Sequence, residues 1–305
     1  MYFLCFATET IIIMSISTKF QNFCTAIRIK SSVVSDISYR YGRITKQLNT
    51  DFWDTDSETS HSLYVGSYGR DTDIHVSDID MLFRLPSSVY ERINSHQGNG
   101  QSALLQEVRN SLKNTYSTTH MRGDGQVLVI EWDDGIRFEV LPCFINNDES
   151  FTYPDTNDGG KWGTTNPKPE IEAIRIANSK WNDNLKNLCR MTRAWKDKWE
   201  VPMGGLLIDT LAYNFLGNWE HRDKSYLYHD YMTRDFFKYL KDQDTKKNYW
   251  LAPGSNQYVW RKGLFEYKAL RCYNISLEAI DYEAREMPYS ANEKWQEIFG
   301  SKFTG

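Results

Sequence analysis

The residues VGSYGRDTDIHVSDIDMLF, at positions 65–83, decide the fold and the chemistry of this chain. Gly66 and Ser67 follow a short apolar run, which predicts a strand that ends in a turn. Such a turn can bring backbone N–H groups and a hydroxyl group close to phosphate oxygens. Eleven residues after Ser67, Asp78 and Asp80 occupy positions i and i+2 of the next predicted strand. Both carboxylates therefore lie on one face, where they can share a divalent cation.

A predicted β-hairpin further along the chain contributes a third acid. QVLVIEW (126–132), a polar DDG turn and IRFEVLPCF (136–144) have the pattern of two paired strands. Glu139 stands among apolar residues of the second strand, where a carboxylate is costly to bury unless it is paired or binds a metal. Glu131, in the first strand, competes for the same role. Three carboxylates beside a phosphate-binding turn predict two-metal phosphoryl transfer.

Each of these features alone is more typical of an ordinary surface. A D-x-D pair on a strand usually belongs to a solvated face, and a single Gly-Ser turn is weak evidence for a phosphate site. Glu139 alone would be interpreted as a surface acid of an edge strand. Their combination predicts a functional site. A non-enzymatic relative, kept as a nucleotide-binding scaffold, would be marked by loss of an acid, and all three acids are present.

Composition narrows the classes of partner. The chain has 305 residues, a net charge of −4 and a pI near 5.9. A protein that grips a long nucleic acid usually carries a basic excess, so we expect no long DNA or RNA partner. The five cysteines are widely spaced, without a C-x-x-C pair, which argues against a disulfide framework and a structural zinc site. We expect a cytoplasmic protein with reduced thiols and no association with a membrane.

The periodicity along the chain predicts an α+β fold with segregated lobes. A helix is predicted over 15–50, and strand patterns follow it. Helical patterns fill the second half, at 169–198, 204–219, 228–243 and 262–285. The Asn-, Asp-, Gly-, Thr- and Pro-rich segment 145–169 is the expected lobe boundary. We predict a catalytic lobe at 15–165, including the N-terminal helix, a helical lobe at 166–305, and an active site in the cleft between them.

The segment 66–83 resembles the G-S-[YF]-x-R-x-T…S-D-[IV]-D signature of bacterial cGAS/DncV-like nucleotidyltransferases. These are the CD-NTases, or SMODS domains, of anti-phage CBASS systems. RFEVLPCF (137–144), WGTTNP (162–167) and LCRMTRAWKDKW (188–199) resemble further segments of that family, and the resemblance runs from about residue 15 to the C-terminus. It implies a polymerase-β-like sheet lobe packed on a helical lobe. It also implies an enzyme that makes a cyclic di- or trinucleotide second messenger from nucleoside triphosphates.

The resemblance implies roles for the residues of the central motif. Asp78 and Asp80 would hold two Mg²⁺ ions, with Mn²⁺ as an alternative, and Glu139 would complete the metal site. Gly66 and Ser67 would hold the β- and γ-phosphates of the donor nucleotide.

Further roles are implied for the later segments. The family's triphosphate-contacting lysine falls on Arg193, with Arg190 and Lys196 as reserves on much the same helical face. The alternative for these bases is a solvated helix face. Thr165 and Asn166 are candidate readers of the base edge, and the alternative is an N-cap for the following helix.

The two ends of the chain carry separate expectations. Residues 1–13 are interpreted as a non-native or disordered extension, because a more ordinary segment starts at Met14. Some systems of this family join the cyclase C-terminus to other molecules, so Gly305 is a candidate conjugation point and CBASS accessory proteins are candidate partners. A frayed terminus is the alternative. The competing enzymes are tail-adding nucleotidyltransferases, which the acidic pI disfavours, and small-molecule adenylyltransferases.

Overall fold

A computed structural model describes residues 15–76 and 78–304 of the chain. The predicted extension at 1–13 and the candidate conjugation point Gly305 lie outside these residues. The first part of the chain builds a mixed sheet and the helices that cover it. Its elements are α1 (Ile16–Ala26), α2 (Ser31–Trp53), β1 (Ser62–Tyr64), α3 (Gly66–Gly69), β2 (Ile79–Arg84), α4 (Ser87–Asn94), α5 (Gly100–Lys113), β3 (His120–Asp124), β4 (Val127–Glu131), β5 (Arg137–Ile145), β6 (Phe151–Asp155) and β7 (Lys161–Thr165).

The second part of the chain is mostly helical. Its elements are α6 (Pro167–Lys180), α7 (Asn184–Trp199), α8 (Gly205–Asn218), α9 (His229–Lys241), β8 (Tyr249–Leu251), β9 (Tyr258–Trp260), α10 (Glu266–Ala284) and α11 (Pro288–Phe299). Strands thus come first and helices second, and the predicted α+β class is confirmed. No helix within the described residues is long and apolar enough to cross a bilayer.

The order of the strands sets the position of the site. The main sheet runs β1-β2-β5-β4-β3, and β6 pairs with β5 and β7. β2 and β5 are parallel, whereas the other neighbours are antiparallel. In this register Asp80 and Glu139 are direct Cα partners. Since side chains at paired positions point to the same face of a sheet, the two acids lie side by side.

The N-terminal helix differs from its prediction. The sequence predicts one helix over 15–50, but the chain breaks between Ala26 and Ser31 into α1 and α2. The cause is packing, because the two halves bury their apolar faces in different cores. In α1, Phe20 and Phe23 contact rings of the C-terminal segment, among them Phe303. α2 instead packs in the hydrophobic cluster of the sheet. The structure therefore places α1 with the helical lobe, not with the lobe at 15–165.

The predicted boundary at 145–169 also contains regular structure. β6 and β7 form an antiparallel hairpin there. Pro154 inside β6 and the glycines at 159–160 disguise the strand pattern, because proline and glycine normally interrupt strands. The helix predicted over 169–198 is two helices, separated at Asn182 and Asp183, which both have left-handed backbone conformations.

Candidate active site

Three acids meet at the cleft between the sheet and the helical lobe. Asp80 in β2 and Glu139 in β5 line this cleft, and so does the exposed Asp78, which directly precedes β2. The cleft has a volume of about 570 Å³ and is bounded on the other side by residues of α6, α7 and α8. A cavity of this size accommodates a nucleotide. The geometry therefore brings the three sequence-predicted carboxylates to one wall of the cleft.

Glu131, the alternative third acid, lies elsewhere. It pairs with His120 of the neighbouring strand β3, and its carboxylate lies within ion-pair distance of His120, 3.3 Å, and Arg122, 3.6 Å. It is not among the described residues that line the cleft. The pairing of β2 with β5 thus brings Glu139, not Glu131, beside Asp80.

The acids repel one another. Burial, and after it the charges of Glu139 and Asp78, raise the pKa of the Asp80 carboxyl to about 7. Arg137 donates a hydrogen bond to the Glu139 carboxylate from the same strand. No group of three or more His, Cys, Asp or Glu side chains in the described residues is already arranged as a metal site. A cation at Asp80 would offset the excess negative charge, and hard carboxylate oxygens are the ligands that Mg²⁺ prefers.

The Gly-Ser turn lies against these acids. The Val65 N–H group donates to the Asp80 carbonyl oxygen at 2.9 Å, which fixes the turn on β2. Gly66 has a φ of +61°, and a Cβ atom there would collide with the Asp80 carboxylate. Only glycine satisfies both conditions. Ser67 follows at the start of the single turn α3 and lines the cleft.

Arg193, the predicted triphosphate contact, is buried rather than on a solvated helix face. It is 7% exposed, and its guanidinium group donates to both oxygens of Asp209, at 2.6 and 3.0 Å. It also donates to the carbonyl oxygen of Gly205 at 3.2 Å. Its side chain reaches the cleft wall, but its guanidinium group is paired with Asp209.

Arg190 is likewise committed to a structural contact. It is buried and donates to the backbone carbonyl oxygen of Asp71, at 2.6 Å, and to the Asp71 carboxylate. It is not among the described residues that line the cleft. Lys196 is different, because its side chain is 37% exposed, lines the cleft and lies 3.9 Å from Asp197. The reserve candidate Lys196 is thus the better-placed cation of the three.

The two candidate base readers separate in the structure. Thr165, at the end of β7, lines the cleft. Asn166 directly precedes α6, makes no side-chain cap hydrogen bond, and is absent from the described lining residues. Asn166 thus occupies the N-cap position of α6 that the alternative gives it, although its side chain does not cap the helix, and of the two candidates Thr165 is the one that lines the cleft.

Two further charged residues of the cleft, Arg70 and Glu170, were not predicted from the sequence. Arg70, the last residue of GSYGR, donates from Nε to Asp209 at 2.8 Å and lies 3.8 Å from Glu170. Glu170 accepts a hydrogen bond from the Ser255 hydroxyl group at 2.7 Å. Arg70 and Glu170 both line the cleft. Arg70 could have been found from the sequence, because it stands inside the Gly-Ser motif. Glu170 could not, because in the sequence it looks like any acidic residue in the first turn of a helix.

Comparison with known families identifies the relatives of this site. A family model described as the Second Messenger Oligonucleotide or Dinucleotide Synthetase (SMODS) domain matches residues 14–178, more than half of the chain. The chain belongs to the SMODS family. The resemblance inferred from the motif around Asp78 and Asp80 is thereby confirmed.

A curated relative of this SMODS protein is a probable cyclic nucleotide synthase of Bacillus cereus (strain VD146). It is 25% identical over 195 residues, which are 60% of this chain and 56% of the relative. The match thus spans little more than half the length of that relative.

Solved structures share the fold of this SMODS protein. The CdnC subunit of an Escherichia coli MS115-1 CdnC:HORMA-deltaN complex has a TM-score of 0.72 at 13% identity, covering 95% of this chain and 98% of that one. The CD-NTase CdnG of Bradyrhizobium diazoefficiens, in complex with GTP, has a TM-score of 0.68 at 9% identity, covering 94% and 96%. The Vibrio cholerae di-nucleotide cyclase DncV has a TM-score of 0.63 at 15% identity, covering 95% and 87%. The predicted polymerase-β-like fold is confirmed.

Proposed function

We propose that this SMODS protein is a nucleotidyltransferase that joins nucleoside triphosphates into a cyclic di- or trinucleotide second messenger. The observation that carries the proposal is the pairing of Asp80 with Glu139 on adjacent parallel strands. Asp78 and the turn at Gly66 and Ser67 open on the same cleft. Paired acids beside a turn that can hold phosphate are the arrangement that phosphoryl transfer requires.

Two divalent cations, Mg²⁺ or Mn²⁺, belong to this proposal. Asp78 and Asp80 would hold them, and Glu139 would join once its carboxylate exchanges Arg137 for a cation. The meeting of three acids at one wall of the cleft supports the fit, because the charges of Glu139 and Asp78, after burial, raise the pKa of the Asp80 carboxyl and would be offset by a cation. Such ions lower the pKa of an attacking hydroxyl group and neutralise the triphosphate and its pyrophosphate leaving group.

The side chains of the cleft supply binding and orientation. The Ser67 hydroxyl group and the backbone of the turn face the donor phosphates, and Lys196 adds a positive charge on the opposite wall. Thr165, with one hydroxyl donor and two acceptor lone pairs, can contact a base edge. Arg70 and Arg193 act differently, because both are bound to Asp209: Arg70 links the Gly-Ser turn to the helical wall, and Arg193 links α7 to α8 within that wall.

The named activities of similar proteins support a cyclic nucleotide as the product. The Bacillus cereus relative is named a probable cyclic nucleotide synthase, and DncV has been solved with the linear intermediate 5′ pppA(3′,5′)pG. CdnC has been solved with ATP and in complex with a HORMA protein. By analogy we propose nucleoside triphosphates as substrates, an accessory protein as partner, and a role in anti-phage signalling in the cytoplasm.

Product analysis tests the proposal. Purified protein with Mg²⁺ or Mn²⁺ and radiolabelled nucleoside triphosphates, singly and mixed, is expected to yield a phosphatase-resistant product whose mass identifies a cyclic nucleotide. The double variant Asp78→Ala, Asp80→Ala should fold as the wild type and make none. A linear tail on added RNA, or nucleotide transfer to a small-molecule acceptor, would instead identify one of the competing enzyme classes. Absence of any product with either metal would refute synthase activity.

A further inference from the structure

A second cavity lies at the far end of strand β2 from the acids. It has a volume of about 600 Å³, and Arg84, the last residue of β2, lies in its wall. Arg84 lies four residue steps from Asp80, a distance of about 13 Å along β2. Of the described residues, none lines both this cavity and the cleft. The cavity, which we call the β2-end cavity, is thus a separate space.

The charge of Arg84 is uncompensated. Its Nε atom is buried and has no hydrogen-bond partner. In the described part of the chain, no carboxylate lies within ion-pair distance of its guanidinium group. The described residues that line the cavity include no Asp or Glu. Because Arg84 is half-buried and lines the cavity without a carboxylate partner, its guanidinium group is available to an anion from outside the chain.

The surroundings hold Arg84 in place without neutralising it. Its backbone N–H group donates to the His61 carbonyl oxygen at 2.7 Å, and its carbonyl oxygen accepts from the Trp53 indole N–H group at 2.8 Å. Its guanidinium carbon lies 5.2 Å from the centre of the Trp53 ring. The His61 ring stacks on Trp53 at 4.0 Å. Burial and the charge of Arg84 lower the pKa of His61, so the histidine adds no second charge near neutral pH.

The remaining walls are apolar and aromatic. Tyr90 and Phe144 pack edge to face at 5.1 Å, and Leu85 lies beside them. Ile145 at the rim is 44% exposed, which is high for an isoleucine. The exposed Asn147 makes no side-chain hydrogen bond within the described residues, so its carboxamide can serve a ligand. The cavity thus combines one fixed cation with an apolar wall that is large enough to cover an aromatic ring. These features fit an anion that carries such a ring.

We propose that the β2-end cavity binds a small aromatic anion, whose carboxylate or phosphate group pairs with Arg84 and whose ring packs against Tyr90, Phe144 and Ile145. Guanidinium binds both groups in the same bidentate manner. The inference does not depend on the proposed synthase activity, because the cavity and the cleft are lined by different residues.

Calorimetric titration with benzoate, phenyl phosphate and neutral benzyl alcohol, in metal-free buffer, tests this proposal. The two anions probe the carboxylate and the phosphate source, and at least one should bind more tightly than benzyl alcohol. Arg84→Gln is expected to weaken that binding about tenfold or more. Arg92→Gln removes an exposed arginine that pairs with Glu107 on the neighbouring helix and should leave binding unchanged.

Two further variants separate the outcomes. Ile145→Glu places a competing carboxylate at the exposed rim of the cavity, so it should abolish binding of the anion even if Arg84→Gln proves too unstable to assay. Lys196→Gln reports binding in the cleft and should have no effect. Loss of binding in Lys196→Gln alone, undiminished binding in both Arg84→Gln and Ile145→Glu, or no binding by the wild type at about 10 mM of either anion would overturn the proposal.

Discussion

Arg70 Nε lies 2.8 Å from the Oδ2 atom of the fully buried Asp209, and this contact ties the phosphate turn of the sheet lobe to helix α8. Arg193 from α7 and the hydroxyl group of Thr72 bind the same carboxylate. Burial alone would raise the pKa of Asp209, but the two guanidinium groups hold it well below its usual range. The carboxylate therefore stays charged and joins three segments that bound the cleft.

Replacing this carboxylate should destabilise the whole protein. Asp209→Asn leaves Arg193 buried without its carboxylate partner and Arg70 with only Glu170, 3.8 Å away, so we expect the free energy of unfolding to fall by about 3 kcal/mol or more. Urea unfolding followed by circular dichroism measures the change. Glu172→Gln, which breaks the exposed pair with Arg175, should cost at most about 1 kcal/mol. Equal losses in the two variants would show that the Asp209 contacts contribute no special stability.

The choice between Glu139 and Glu131 is open to a direct comparison. Glu139→Gln removes a charge beside Asp80, and we expect the rate of product synthesis to fall at least about a hundredfold. Glu131→Gln changes a carboxylate outside the cleft lining and should leave the rate within a few-fold of the wild type. Both variants should melt as the wild type does. A strong loss in Glu131→Gln alone would reverse the assignment.

Replacing Lys196 should affect substrate binding, whereas replacing Arg193 should affect the stability of the fold. Lys196→Gln removes an exposed cation from the cleft wall, so we expect KM for the nucleoside triphosphate to rise about tenfold while the melting temperature is unchanged. Arg193→Gln leaves part of the Asp209 charge unpaired and should lower the melting temperature. Steady-state kinetics and thermal denaturation of both variants test this split. A melting temperature that falls only in Lys196→Gln would contradict it.

Magnesium should stabilise the folded protein through the acids. A ligand that binds only the folded state adds about 2.7 kcal/mol at a hundred times its Kd. We expect Mg²⁺, and Ca²⁺ as a probe that does not depend on turnover, to raise the melting temperature of the wild type. The melting temperature of the double variant Asp78→Asn, Asp80→Asn should not rise when either cation is added. An equal rise in the melting temperature of that variant would show that the cation binds elsewhere.

The part of the candidate site that lies close together in the sequence could be proposed from the sequence alone. The part that could not be proposed depends on how distant segments pack. The Gly-Ser turn and the two aspartates are close in sequence, so their spacing carries the signal. That Glu139 joins them depends on the parallel pairing of β2 with β5, which hydrophobic alternation does not reveal. Arg193 was assigned to phosphate from the resemblance of its segment, and its pairing with Asp209 was not predictable because that acid comes from a different helix. Whether a guanidinium group is free or paired depends on tertiary packing.

The break in the predicted N-terminal helix also depends on tertiary packing, and the sequence did not predict it. The periodicity over 15–50 correctly predicts helix, but it does not show that Phe20 and Ile37 face different cores. A stripe of apolar residues specifies a buried face without specifying the element that covers it.

Asp230 offers a test of buried charge away from the cleft. It is 6% exposed, and one of its carboxylate oxygens accepts a hydrogen bond from the Tyr231 N–H group at 2.7 Å. Burial raises its pKa from 3.8 to about 6, although Arg234 opposes the shift. A raised folded pKa means that this residue's contribution to stability is fully present below about pH 4 and is lost as the pH rises through about 6.

Asp230→Asn keeps the acceptor for Tyr231 and removes the charge, so the variant should be about as stable as the wild type near pH 4. Near pH 8 the wild type buries an ionised carboxylate, and the variant should be more stable by up to about 3 kcal/mol, the cost of a two-unit shift. Chemical denaturation across this pH range measures the difference. Glu293→Gln, at an exposed side chain without an ion pair in the described residues, should show no such slope. A stability difference between Asp230→Asn and wild type that stays constant with pH would mean that Asp230 does not titrate in the folded protein as its burial requires.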